Sequence, residues 1–378
     1  MLGEIDDYHA SWLRSTGGAR TQKWVGSVRK RLVAGAIQGS TQIEGYTVEL
    51  DTVAAMVTGT APPAAVPEES TRAVLGYRDA LTWVLTASEL PFFAYGETML
   101  STLHFMMTRG LAGHEAGRYR KRRVMVSGSD PLRPVYTAPD PEDVPGLMRE
   151  FVDWLNLDEP QVPVLVKAAM AHLNLVSIRP WRDGNGRMSR CVQTLVIAPA
   201  GRVTPEFCSI EAWLGYELNT MEYFHVLRQT RDHYDPDQGT HAWVRFCLRA
   251  HHLQAQVVDS RLRYGQEIWM AMEQLAERHG FDHRSVAALN AAATGQLTST
   301  RRDCPGTRRS GTSAGWNGPA WSSRSATAPP CTTRQLATRP SAPLTSWRRS
   351  PLPPPSPIPG RPDRPSSRYR LASTAESL

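Results

Sequence analysis

A mainly α-helical bundle with one small β-hairpin, followed by a disordered C-terminal tail, is the fold class this chain predicts. Three observations carry that expectation. Apolar residues recur at helical spacing through most of residues 1–293, one stretch near Val124 to Tyr136 reads as a pair of short strands, and the composition changes abruptly after residue 295.

Taken in order, residues 1–60 read as helical, with Trp24, Val28 and Leu32 on one stripe. Gly45 offers a helix C-cap, which puts Glu44 in a last helical turn, where the macrodipole disfavours negative charge and an acid wants a cationic partner. Ala61-Pro62-Pro63-Ala64-Ala65-Val66-Pro67 is a short linker. Helices are expected at 71–88 and 97–109. Val124, Val126 and Pro134-Val135-Tyr136, separated by Ser127-Gly128-Ser129-Asp130-Pro131, then form the hairpin. A helix at 144–156 precedes a central pair. The first of that pair carries Leu165, Ala168, Ala169, His172 and Val176 at helical spacing and stops before Pro180, which has no amide to continue the ladder. The second resumes at Arg187, with Cys191, Leu195 and Ala198 on one stripe. Further helices are expected at 217–232, 241–263, 266–279 and 285–293.

The segment joining the central pair is the most specific one in the chain. It reads Ile178-Arg179-Pro180-Trp181-Arg182-Asp183-Gly184-Asn185-Gly186-Arg187-Met188-Ser189-Arg190. Asp183-Gly184-Asn185-Gly186 is a tight loop opening a helix, and its glycines permit positive φ and close backbone approach. Free amides at a helix N-terminus, with the positive end of the dipole behind them, make an anion site. Arg187 and Arg190, three apart, can both reach a phosphate chain. Asp183 can hold a magnesium ion that bridges phosphate oxygens.

This segment resembles the signature of the Fic family, HPFx(D/E)GNGRxxR, whose members typically transfer AMP from ATP to a protein hydroxyl. The resemblance implies that Gly184, Asn185 and Gly186 form the anion hole for the α and β phosphates, that Asp183 binds magnesium, that Arg187 helps hold the phosphates and that Arg190 reaches the γ phosphate. Trp181 stands where the family usually has phenylalanine. Arg179 stands where it has the histidine that removes the proton from the target hydroxyl; guanidinium stays protonated and offers no acceptor nitrogen. His172, seven helical residues away and so roughly 10 Å along the axis, matches a structural histidine of the family rather than a substitute base. Upstream, Ser40-Thr41-Gln42-Ile43-Glu44-Gly45 resembles the family's inhibitory motif (S/T)xxxE(G/N). There the glutamate pairs with the arginine matching Arg190 and keeps the γ phosphate from binding productively. The hairpin lies where the family has its flap, which aligns a target segment as an added strand, and Gly117-Arg118-Tyr119-Arg120 resembles the lead-in to it.

Composition bounds the remainder. No N-terminal basic-plus-apolar signal and no apolar run of the ~18 residues that span a bilayer are present, so a soluble, cytoplasmic protein with no membrane partner is expected. Five scattered cysteines without CxxC spacing favour a reduced setting, and the histidines form no zinc pattern. From Gln296 onward there is no lysine, no valine and one isoleucine, Ile358, amid dense Ser, Thr, Arg and Pro. Such a segment cannot bury enough apolar surface to offset its ordering entropy. It carries thirteen arginines against three acids, a net +10, so the chain's overall +7 leaves −3 for residues 1–295. Its composition is what out-of-frame translation of GC-rich sequence yields; the competing reading is a basic tail that binds nucleic acid or acidic partners.

The expected organisation is an N-terminal helical region with the inhibitory motif at 1–60, a Fic core at 68–265, a helical remnant at 266–295 where the family often begins a winged helix-turn-helix, and the basic tail at 296–378. The expected ligands are ATP, Mg²⁺ and a target protein offering a Ser, Thr or Tyr hydroxyl. Nucleic acid enters only through the C-terminal region, and a homodimer stays open. Three functions follow: a transferase fold that binds ATP and magnesium with transfer lost or greatly reduced, an AMP transferase using another base, and a non-catalytic nucleotide-gated regulatory protein.

Overall fold

Two helices buried around nearly their whole circumference, α7 (Val164–Ile178) and α8 (Asn185–Ile197), form the centre of the molecule. α7 is largely apolar, as a helix buried on all sides usually is, whereas α8 also buries polar and charged side chains, Arg187 and Arg190 among them. The computed structural model describes residues 1–294 except 17–22, 61, 64, 88–89, 91–92, 114, 128–133, 199–204 and 237. The expected disordered tail at 296–378 and the turn of the hairpin lie outside the described residues.

Around the central pair run α1 (Leu2–Ser15), α2 (Lys23–Ile43), α3 (Leu50–Val57), α4 (Glu68–Ala87), α5 (Glu97–Thr108) and α6 (Val144–Leu155), then α9 (Pro205–Cys208), α10 (Glu211–Leu214), α11 (Glu217–Thr230), α12 (His241–Arg278) and α13 (Ser285–Ala293). The expected mainly α class is what is found, with helix bounds close to those periodicity suggests. The expected pair at 241–263 and 266–279 is instead one continuous helix. Gly265 sits inside it against α2, and a Cβ there would lie 2.9 Å from Val28 Cγ2. Close packing, rather than a break, accounts for that glycine.

Tryptophans tie the layers together. Trp243 of α12 is fully buried and its Nε1 donates to the Ala169 carbonyl of α7 at 2.7 Å, while Trp12 of α1 donates to Asp259 Oδ1 of α12 at 3.2 Å. Buried indoles find a polar partner while adding large apolar area to the core.

The small sheet pairs β1 (Met125–Ser127) with β2 (Pro134–Thr137) antiparallel, Val126 opposite Tyr136, with a register shift next to Ser127. It is fastened at both sides of the site. The Tyr136 hydroxyl donates to the Ser177 carbonyl at 2.5 Å, and Thr137 N donates to the Asp232 carbonyl at 2.9 Å. Among the described residues no helix is long and apolar enough to cross a membrane.

Candidate functional site

The segment between α7 and α8 is held by contacts that leave its backbone exposed to one cavity. Arg179 caps α7 in the left-handed region, φ 46° and ψ 61°, with its amide donating to the Leu175 carbonyl. Its own carbonyl accepts from Arg120 Nε at 2.8 Å. Arg120 N donates to the Pro180 carbonyl at 2.9 Å, and Arg120 Nη2 to the Pro139 carbonyl at 2.6 Å. One buried arginine from the lead-in therefore fixes both the start of the loop and the chain leaving the flap.

Trp181 is fully buried and stacks on His104 of α5, ring centroids 4.4 Å apart. His104 Nδ1 accepts from Gly117 N at 2.8 Å, which makes Nε2 the protonated nitrogen, and Nε2 donates to the Asp183 carbonyl at 2.9 Å. Gly184 turns with φ 76°, and a Cβ on it would lie 3.0 Å from Thr108 Cγ2 and 3.2 Å from His104 Nε2. No larger residue fits this turn without displacing its support. Asn185 closes the loop on itself: its Oδ1 accepts from Trp181 N at 3.1 Å, and its Nδ2 donates to the Trp181 carbonyl at 2.8 Å. Its side chain is spent inside the loop, so what Asn185 offers a ligand is its amide. Gly184 O accepts the first helical bond, from Met188 N, which leaves the first-turn amides of Asn185, Gly186 and Arg187 without an intrahelical acceptor.

Both arginines of α8 turn toward the end of α2. Arg190, 2% exposed, donates from Nε to Ser40 Oγ at 2.9 Å, and from Nη2 to Ser40 O at 3.0 Å and Glu44 Oε1 at 2.7 Å. Burial, the largest single influence, would lower the Arg190 pKa, and the Glu44 carboxylate together with Tyr223 and Tyr77 more than reverses this, so it stands above the usual arginine value. Ser40 is itself fully buried. α2 ends in a Schellman cap, Tyr46 N donating to Thr41 O and Gly45 N to Gln42 O. Glu44 is thus the residue just past the helix, and Gly45 takes the left-handed conformation with φ 91°. Arg187 lies over the Tyr46 ring, 5.5 Å from its centroid, with Nη2 4.0 Å from Asp183 Oδ2. Its Nε and Nη1 are buried without a hydrogen-bond partner.

A cavity of about 250 Å³ opens beside the loop. Glu44, Asp183, Gly186 and Arg190 line one side; Val135 and Tyr136 of the flap line another; Arg179, Tyr223 and Arg231 contribute to the rest. His172 lies beneath with both ring nitrogens engaged: Nδ1 pairs with Gln193 Oε1 at 2.7 Å and Nε2 with the Tyr223 hydroxyl at 3.0 Å. Burial pushes its pKa down to about 3. The imidazole is a neutral strut of the core.

These features coincide with a family match. Residues 95–197 fit the model of the Fic/DOC family. The chain contains a Fic domain. It is 34% identical over 209 residues to protein adenylyltransferase Fic of Nematostella vectensis, covering 53% of this chain and 45% of that one. With the protein of the same name from Aedes aegypti it shares 40% identity over 98 residues, 25% of this chain and 18% of that one. The chain thus spans less than half the length of these curated relatives. Two solved structures share the fold: a Fic domain containing signaling protein from Bacteroides thetaiotaomicron, with TM-score 0.57 and 17% identity over 69% of this chain and 95% of that one, and Fic-1 from Caenorhabditis elegans, with TM-score 0.54 and 20% identity over 70% and 72%.

Of the residues singled out in the sequence, Arg179, Asp183, Asn185, Gly186, Arg190 and Glu44 all line this same cavity. Ser40 stands behind Arg190, Gly184 and Gly45 shape the turns, and Arg187 backs the loop. Sequence reasoning missed His104, Asn185's clamp on Trp181, and Arg231. His104 carried one available signal, a lone imidazole among the apolar positions of α5, and Arg231 carried none.

Proposed function

We propose that this Fic domain binds ATP with magnesium at the Asp183–Arg190 loop, that Glu44 restrains Arg190 from the γ phosphate, and that AMP transfer to a protein hydroxyl is lost or greatly slowed. One observation carries the last part: Arg179 lines the same cavity as Asp183 and Arg190 and presents a guanidinium where the reaction needs a proton acceptor. In AMP transfer the acceptor oxygen forms a bond to the α phosphorus, the acceptor proton leaves to a base, and pyrophosphate departs. What supports the reading is that the first-turn amides of α8 stand free of helical acceptors beside Arg187 and Arg190, and that Arg179 occupies the position of the family's base.

Magnesium fits the donor set as a nucleotide-borne ion. Asp183 is half exposed and lines the cavity, and among the described residues no group of three or more His, Cys, Asp or Glu gathers that could hold the ion without the nucleotide. A single carboxylate with phosphate oxygens and water is how this hard cation is usually held, and when bound it would offset phosphate charge. Glu44 and Arg190 form a contact that a γ phosphate would replace, which supports a second reading, a nucleotide-gated regulator in which breaking this pair is the output.

The test compares parent, Arg179→His, Glu44→Gly and the double variant for AMP incorporation into themselves or lysate proteins, read by mass spectrometry after incubation with labelled ATP. Restoring a base contributes ~100- to 10,000-fold, and freeing Arg190 lets it act. The expected order is the double variant above Arg179→His above parent, with Glu44→Gly near background. Labelling by Glu44→Gly as strong as by the double variant would show that Arg179 is compatible with catalysis and overturn the reading.

A further inference from the structure

The cavity holds more positive charge than the loop accounts for. Four arginines line it, Arg179, Arg190, Arg228 and Arg231, against the two carboxylates of Glu44 and Asp183. Glu44 is committed to Arg190, and Asp183 faces Arg187. The excess resides on the flap side. Arg231, just past the C-terminus of α11, is 2% exposed; its Nη1 donates to Asn174 Oδ1 at 3.3 Å and its guanidinium sits 6.0 Å from the Tyr234 ring centroid. Its Nε and Nη2 are buried without a hydrogen-bond partner, and so is Arg179 Nε. Burial raises the Tyr136 pKa to about 12, and Arg231 and Arg179 both act in the opposite sense on its hydroxyl, as cations on the same wall do.

A buried N–H without an acceptor costs ~1–3 kcal/mol, and more when it belongs to a charged group. Three such nitrogens belong to two like-charged side chains that line one cavity with apolar Val135 and Leu227, and they gain nothing from the fold itself. They gain from a ligand that brings several acceptor oxygens and two negative charges.

We infer that Arg231 and Arg179 form a second oxyanion site, on the flap side of the cavity and apart from the loop amides, that takes a phosphate dianion, either free phosphate or the terminal group of a phosphate monoester. Guanidinium forks bind phosphate with paired, charge-assisted hydrogen bonds, and two cations lining one cavity match a dianion. Asn174 orients Arg231 from behind, as a positioning residue. This site goes beyond the nucleotide reading and does not rest on it.

Calorimetric titration of the full chain with inorganic phosphate, and separately with O-phosphoserine, tests it in the parent and in Arg231→Gln, Arg231→Lys, Arg179→Gly and Arg187→Gln. The parent is expected to bind inorganic phosphate, with Arg231→Gln about tenfold or more weaker, Arg231→Lys intermediate and Arg179→Gly also weaker, each a loss of charge-assisted hydrogen bonds. Arg187→Gln is expected to keep the phosphate isotherm while weakening ATP. Binding of both probes identifies a monoester site, and binding of inorganic phosphate alone identifies a site for the free ion. Thermal melting reports folding; should Arg231→Gln fail to fold, Arg231→Lys and Arg179→Gly carry the test. The site is refuted if the parent binds neither probe, or if Arg187→Gln abolishes phosphate binding while the Arg231 and Arg179 variants retain it, since the anion would then sit in the loop. Failure of the nucleotide reading looks different: ATP binds no variant, the parent included, and the phosphate isotherm persists.

Discussion

Glu44→Gln removes one charge from the Glu44–Arg190 pair and leaves its shape intact. Arg190 is 2% exposed, so water cannot replace the lost carboxylate on the guanidinium. The amide oxygen still offers an acceptor at the 2.7 Å position, and Ser40 Oγ and O keep their two bonds. Complete loss of one partner of a buried pair costs ~3–5 kcal/mol. Because hydrogen bonding survives and the Glu44 side chain is 24% exposed, the expected destabilisation is smaller, about 1–2 kcal/mol. The sign with pH is set by Arg190: a folded pKa above the usual arginine value contributes stability that is fully present below that value and lost only as pH rises through the folded one. Urea unfolding at neutral pH therefore sees the whole effect, as a lower midpoint at unchanged slope. The same substitution removes the γ phosphate's competitor, so ATP with magnesium is expected to bind about tenfold tighter, equivalent to about 1.4 kcal/mol. A lower midpoint with unchanged ATP affinity would make Glu44 a structural staple and refute its inhibitory assignment. No change in either would mean that the pair contributes nothing in solution.

Two further outcomes are expected. Arg179→Gly relieves a left-handed non-glycine cap, φ 46°, and removes a cation beside Arg120, whose pKa is lowered first by burial and then by Arg179. After the entropy cost of glycine in the unfolded chain, a gain of about 0.5–1 kcal/mol remains, read as a melting temperature higher by about 1–4 °C; a lower one would refute the strain argument. His172 and His251 are both buried with pKa values depressed to about 3, burial being the main cause. A depressed folded pKa contributes stability present above the unfolded value near 6.5 and lost as pH falls toward 3, at about 1.4 kcal/mol per pH unit for each histidine. His251→Gln should flatten the dependence of unfolding free energy between about pH 5.5 and 4 by roughly one histidine's share, and an unaltered slope would show that His251 is protonated in the folded state.

Local chemistry made much of this protein legible in its sequence. The Asp183–Arg190 run is contiguous, so glycine spacing, the helix N-terminus and the arginine pair could be read together, and Pro180 marked the end of α7. Helical periodicity placed α4 to α8 within a few residues because each of those helices buries a face or its whole surface. The flap was visible as two short runs around a turn. Glu44 could be placed at a helix end by Gly45, and only the family resemblance connected it to Arg190.

Tertiary structure decided the contacts whose partners are remote. Glu44 meets Arg190 across 146 residues, and His104 meets the Asp183 carbonyl across 79. Arg120 holds the Arg179 carbonyl across 59, a role that no property of an arginine near residue 120 announces. Residues 241–263 and 266–279 read as two helices and form one, and Gly265 between them is a packing contact whose reason lies on α2 and not on its own helix. Arg231 had no local signature at all. Its importance comes from being buried with unpartnered nitrogens beside Arg179, and burial is a property of the assembled core, fixed only when α7, α11 and the flap close around the same cavity.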